Sequence, residues 1–112
     1  MSKDRSEILQ GTLDLMILQS LQSMGPLHGW GIARRIEQIS ENSLFLNQGT
    51  IYPALVRLEQ HGWIKSEWGA SENNRKAKFF EITKSGRRQL VKETDEWRRM
   101  VAIISRLLPG SE

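Results

Sequence analysis

The chain has 112 residues, no cysteine, a net charge of +3 and a pI near 9.6. That length allows one domain with a modest core, and the lack of cysteine excludes disulfides and thiolate metal sites. No apolar run approaches the ~20 residues needed to span a bilayer, and Asp4, Glu7 and Asp14 interrupt the N-terminal segment, so neither an anchor nor a signal peptide is expected and the location is read as cytoplasmic. Residues 1–83 carry nine Lys and Arg against nine Asp and Glu, whereas residues 84–112 carry seven against four. The excess charge lies in the C-terminal segment, so only local clusters can mark a nucleic-acid face.

Thr12 precedes Leu13, Ile17, Leu21 and Met24, which recur at the spacing of one helix face. Thr12 suits an N-cap, and Asp14 suits the positive end of the helix dipole. Gly25-Pro26 ends this first helix. In LHGWGIARRIEQIS, Trp30, Ala33, Ile36 and Ile39 share the face of a second helix, with Arg34, Arg35, Glu37 and Gln38 on the rest. Asn42-Ser43 breaks the chain, and Leu44 to Leu46 form an apolar link beneath a third helix. That helix is NQGTIYPALVRLEQHGWI, with Ile51, Leu55 and Leu58 on one face and Gly62 closing it. Pro53 is its anomaly, since an interior proline lacks an N–H and collides with the carbonyl four residues back, that of Gly49. Either Thr50 is the N-cap and Pro53 falls where no bond is lost, or the helix starts near residue 48 and bends, leaving the Gly49 carbonyl free.

After Gly62 the period changes to two. WIKSEW and AKFFEIT read as strands, and GASENNRK between them as a long polar turn. Thr83 caps a last helix from Lys84 to Leu108, ended by Pro109-Gly110. Its seam, Leu90, Thr94, Trp97, Val101, Ile104 and Leu108, follows a heptad spacing, widened by Met100, Ile103 and Leu107. The fold class is therefore mainly α with a small β-hairpin. Three helices followed by a hairpin give a winged helix-turn-helix in residues 1–82. Residues 83–112 form a long C-terminal dimerisation helix, with Leu90, Trp97, Met100, Val101, Ile104 and Leu108 as its contact set.

Gln48, Gly49, Thr50 and Tyr52 stand at the head of the third helix, the end that enters the major groove in a helix-turn-helix. Gln can pair with an adenine edge, Thr can meet a thymine methyl or a phosphate, and Tyr can reach a phosphate. The plain alternative is that the first two cap the helix and Tyr52 packs. Arg57, two turns beyond Thr50, either extends this face or makes an ion pair with Glu59 or another neighbour. At the wing tip Asn74, Arg75, Lys76 and Lys78 form a basic cluster suited to DNA backbone or minor groove, with Asn73-Asn74 supplying the turn. His28 and His61 are read as shaping the turn into helix two and ending helix three, and no metal site is assigned. No nucleophile elbow, phosphate loop or paired-carboxylate pattern points to an enzyme, and no cofactor is implied.

GTLDLMILQSL, GPLHGWGIARRI, LNQGTIYPALVRLEQHGWI and NNRKAKFFEITKSGRRQL, in this order, resemble the PadR-like transcriptional regulators from about Leu9 to Leu90. The length resembles the family's short class with a single C-terminal helix. The resemblance implies a homodimeric repressor of double-stranded DNA at a pseudo-palindromic operator, with the C-terminal helix and helix one making the dimer. It also favours the start of helix three near residue 48. The family's usual tyrosine after His-Gly is Trp30 here, which keeps an aromatic ring but offers an indole N–H in place of a hydroxyl. Some such dimers bind flat aromatic ligands between subunits. Trp97 is thus either dimer-core packing, the commoner fate of a seam position, or a stacking platform for a small aromatic effector. Two other readings stay open: a winged-helix protein-interaction module, and an aromatic-ligand sensor with secondary DNA affinity.

Overall fold

The computed structural model describes the backbone of residues 2–110 and the side chains of residues 11–110. Met1, Ser111 and Glu112 lie outside the described residues, so the expected C-terminal unit is followed to Gly110. Helix α1 (Ser2–Met24) begins well before Thr12, which lies inside it rather than capping it. Nothing in SKDRSEILQ stops a helix, and the single Gly11 costs one only about 1 kcal/mol. Asp14 is therefore mid-helix, away from the dipole end expected for it. The helix stops as expected, with the Gly25 N–H donating to the Leu21 carbonyl at 3.1 Å and Pro26 next.

A two-residue strand, β1 (Leu27–His28), leads directly into α2 (Gly29–Ile39). His28 caps α2, its Nδ1 accepting the Gly31 N–H at 2.9 Å. The buried face of α2 is Ile32, Ala33 and Ile36. Trp30 and Ile39, expected on that face, are instead 53% and 65% exposed. At 3.6 residues per turn Ile36 takes the central place between Ile32 and Ala33, and Trp30 falls about 120° round from it.

Helix α3 (Gln48–Gln60) is capped by Asn47, so Pro53 lies inside it. The early start near residue 48 is the alternative realised. Pro53 cannot donate to the Gly49 carbonyl, but both residues are exposed, so water can take the freed acceptor. Beyond Pro53 the helix buries Ala54, Leu55 and Leu58. Its end is a Schellman turn: Gly62, at φ +77°, donates to the Glu59 carbonyl and Trp63 to the Leu58 carbonyl.

Strands β2 (Ile64–Ala70) and β3 (Lys76–Ile82) form the hairpin. They extend further than the alternation alone suggests, so the turn shrinks to residues 71–75, closed by the Ser71 N–H on the Arg75 carbonyl at 2.8 Å. The sheet order is β1-β3-β2, all antiparallel. Register puts Ile64 opposite Ile82, Ser66 opposite Phe80 and Trp68 opposite Lys78. The first two pairs lie over the core, and the third projects past it.

Helix α4 (Lys84–Leu107) starts at Thr83, whose Oγ1 accepts the Gly86 N–H at 3.0 Å and donates to the Gly62 carbonyl at 2.7 Å. Leu108 is the cap rather than the last helical residue. Leu90, expected on the dimer seam, is 6% exposed and belongs instead to the core formed with Ile17, Leu18, Ile32, Leu55 and Phe80. Two turns after the cap, α4 still lies on its own domain. From Asp95 onward every described residue of the helix is exposed. Among the described residues no helix is long and apolar enough to cross a membrane.

A side chain at Gly86 would collide with the Trp63 carbonyl oxygen, which also accepts the Thr83 N–H at 3.0 Å. Because the obstacle is backbone, the clash cannot be relieved by a rotamer change. Gly86→Ala is expected to lower unfolding free energy by about 2–3 kcal/mol, read from the midpoint of a urea titration.

Candidate nucleic-acid interface

The head of α3 is built by its cap. Asn47 Oδ1 accepts both the Thr50 N–H, at 3.0 Å, and the Thr50 hydroxyl, at 3.2 Å. Ile51 is buried and fastens this turn to the core, while Gln48, Gly49, Thr50 and Tyr52 are all exposed. Gln48 and Tyr52 are four residues apart, so they share one side of the helix. The Thr50 hydroxyl is already committed to the cap, which leaves its methyl as the outward group.

Facing Gln48 and Tyr52 is the overhanging end of the hairpin. Period-two alternation places Lys76, Lys78 and Phe80 on one side of β3, and Trp68 joins them from β2. Lys76 Nζ lies 5.7 Å from the centre of the Trp68 ring, and Lys78 Nζ lies 6.0 Å from that of Phe80. Such cation–π contacts hold long side chains extended. Between the helix head and the hairpin runs an open cleft of about 540 Å³, bordered by Gln48, Tyr52, Trp68, Arg75, Lys76 and Lys78. Trp30 and His28 close one end. Their rings stack at 6.1 Å, and the Arg34 guanidinium sits 4.8 Å over Trp30.

The structure thus brings together five of the residues that the sequence singles out: Gln48, Tyr52, Arg75, Lys76 and Lys78. Gly49 and Thr50 are on the same helix head outside the cleft. Asn74 shapes the tip, with φ +60° and its N–H on the Ser71 carbonyl. Arg57 is set apart. Its Nη2 lies 2.6 Å from Asp14 Oδ1, tying the rear of α3 to α1, and neither group is fully exposed. Its partner is not Glu59, whose Oε2 accepts from the Ser66 hydroxyl at 2.6 Å. Trp68 is a cleft residue that the sequence pattern hides. Alternation puts it on the side of Ile64, which reads as core, yet it is 62% exposed.

Trp97, Met100, Val101 and Ile104 are exposed along α4, as is its cap Leu108, without Leu90. Trp97 also borders a mainly apolar cleft of about 610 Å³ between α1 and α2, beside Leu15, Met16, Ile39 and Leu44. Among the described residues, no group of three or more His, Asp or Glu side chains could hold a metal ion.

Residues 17–92 match the model of the transcriptional regulator PadR-like family. The chain belongs to that family. This PadR-like protein is accordingly a DNA-binding transcriptional regulator and not an enzyme. An uncharacterized protein of Lysinibacillus sphaericus is 30% identical to it over 108 residues, covering 96% of this chain and 98% of that protein. A transcriptional regulator from Clostridium thermocellum shares its fold with a TM-score of 0.82 at 26% identity, over 91% of this chain and 98% of that one. A PadR-like transcriptional regulator from Bacillus cereus superposes with a TM-score of 0.77 at 27% identity, over 93% and 98% of the two chains.

Arg57 and Lys76 of this PadR-like regulator should part company under substitution. Arg57→Gln is expected to lower unfolding free energy by about 1–2 kcal/mol, since it strands a half-buried carboxylate. Lys76→Gln should leave stability unchanged within about 0.5 kcal/mol. Thermal unfolding of the two variants beside the parent measures both.

Proposed function

We propose that the protein is a cytoplasmic homodimeric repressor that occupies a pseudo-palindromic operator. The head of α3 enters the major groove, and the hairpin acts as a wing on the flanking backbone. Residues 1–82 serve as the DNA-binding unit and 83–112 as the dimerisation helix, with α1 assisting. The observation that carries this reading is the convergence of an exposed amide, a phenol and three cations on one cleft beside a helix head. These are the groups that bond base edges and phosphates. Gln48 and Thr50 are assigned to base edges, Tyr52, Arg75, Lys76 and Lys78 to the backbone, and Gly49 to close approach. Asn74 holds the tip.

The dimer reading is supported by the exposed apolar run Trp97, Met100, Val101, Ile104 and Leu108 on a helix whose first turns alone are buried. Isolated helices of that length have little reason to carry such a face in water. A two-fold dimer then presents two α3 heads to half-sites about one turn, ~34 Å, apart or a multiple of it. A second reading has its own observation. Trp97 on the wall of an apolar cleft is a suitable platform for a flat aromatic effector, so release by such a ligand fits the same architecture.

Two experiments test these assignments. Lys76→Glu should weaken binding to every duplex, and the fall of log K with log salt should become shallower by about 1–2. Unchanged affinity and slope in a fluorescence anisotropy titration would leave the protein-interaction reading in its place. Val101→Glu with Ile104→Glu should shift a dimer to a monomer in sedimentation equilibrium at micromolar concentration. A double variant that stays dimeric would remove the role given to α4.

A further inference from the structure

The wing carries a large side chain that the fold itself does not use. Trp68 follows Ile64 and Ser66 on the inward side of β2, but lies two residues further out than the last of them. At ~3.3 Å per residue its backbone stands about 7 Å beyond the Ser66–Phe80 pair that lies over the core. One face of the ring is approached by the Lys76 ammonium at 5.7 Å. The residue nevertheless remains 62% exposed. The cross-strand partner is Lys78, whose ammonium lies 6.0 Å over the neighbouring Phe80 ring.

The cleft beside it has a fixed relation to a duplex. An α-helix with its side chains, 10–12 Å across, fills a major groove about 12 Å wide. The sugar–phosphate ridge bounding that groove must then run along the flank of the helix. On the flank of α3 occupied by Gln48 and Tyr52, that ridge would lie in the cleft lined by Trp68, Lys76 and Lys78. Phosphates suit the two ammonium groups. Between successive phosphates the ridge presents the weakly polar face of a deoxyribose, and the indole is an exposed apolar surface of the cleft with the Lys76 ammonium on its face and Lys78 across the strand.

We propose that Trp68 packs its ring on a deoxyribose of the strand bounding the major groove, supplying a salt-independent part of DNA affinity next to the salt-dependent contacts of Lys76 and Lys78. This rests on the reading of the cleft as the DNA face. Removing a cation releases fewer counterions and so changes the salt slope, by about 0.9 for each phosphate that is no longer neutralised. Removing an apolar surface changes affinity by one factor at all salt concentrations.

The test is fluorescence anisotropy of a labelled mixed-sequence 30-base-pair duplex, titrated with parent, Trp68→Ala, Trp68→Phe and Lys76→Gln across a series of NaCl concentrations. Trp68→Ala should bind about tenfold more weakly at every salt, in keeping with removal of one packed ring, with the parent's slope. Trp68→Phe, which keeps a ring, should stay within about threefold of the parent. Lys76→Gln should lower the slope by about 0.9. The proposal is overturned if Trp68→Ala binds like the parent, if its slope falls with that of Lys76→Gln, or if Trp68→Phe is as weak as Trp68→Ala. Parent protein that shows no salt-dependent binding would remove the DNA-face reading itself and this inference with it.

Discussion

Three elements of the molecule leave one point, and that point is the carbonyl of Trp63. It accepts the Thr83 N–H, while Thr83 reaches back to the Gly62 carbonyl and holds the first turn of α4 through Gly86. Only glycine lets α4 come so near, because a Cβ there has the Trp63 backbone in its place. The end of α3, the start of the hairpin and the start of α4 are thereby fixed relative to one another by backbone groups and the Thr83 hydroxyl. At positions other than Thr83 and Gly86, side chains can vary around such a joint without changing the angles at which the three elements depart. A regulator that presents a helix and a wing to one duplex needs that constancy, since both must meet the DNA in register.

From this joint the structure divides polar from apolar by distance rather than by element. Within α3, the half past Pro53 buries Ala54, Leu55 and Leu58, and the half before it exposes Gln48, Gly49, Thr50 and Tyr52 around the single anchor Ile51. The hairpin repeats the pattern. Ile64, Phe80 and Ile82 are buried near the joint, while Trp68, Lys76 and Lys78 continue the same face into open space. In α4, Gly86 and Leu90 are buried and the apolar residues past Thr94 are bare. In each case one amphipathic face begins as core and ends as surface available to something outside the chain.

That division explains what can be read from sequence. Features with local causes are legible: the Gly25-Pro26 stop, the Gly62 turn, the Thr83 cap, the alternation of the hairpin, and a basic wing tip. Features that depend on how far the body extends are not. A heptad spacing shows that Leu90 and Ile104 share a face, but not that one lies on its own domain and the other beyond it. Alternation groups Trp68 with Ile64, and only the overhang of the hairpin separates them. The Arg57–Asp14 pair joins residues far apart in the chain, so its charge looks free in the sequence. Strand β1 has two residues, too few for a period. Thr12 has the chemistry of a cap, but threonine is also tolerated inside a helix already propagating from the preceding turns.

Pro53 leaves one rung missing from the hydrogen-bond ladder of α3. Ahead of the gap, the turn from Gln48 to Tyr52 is held by the Asn47 cap and by Ile51; behind it, the ladder is complete and one face is sealed against α1 and α2. Local opening therefore has two scales in one helix. The rear half can open only with the domain, whereas the first turn can fray alone at much lower free energy, and its amides would exchange with solvent first. The part of the helix assigned to reading bases is thus the part whose shape the core fixes least, which leaves the final fit of that turn to the DNA.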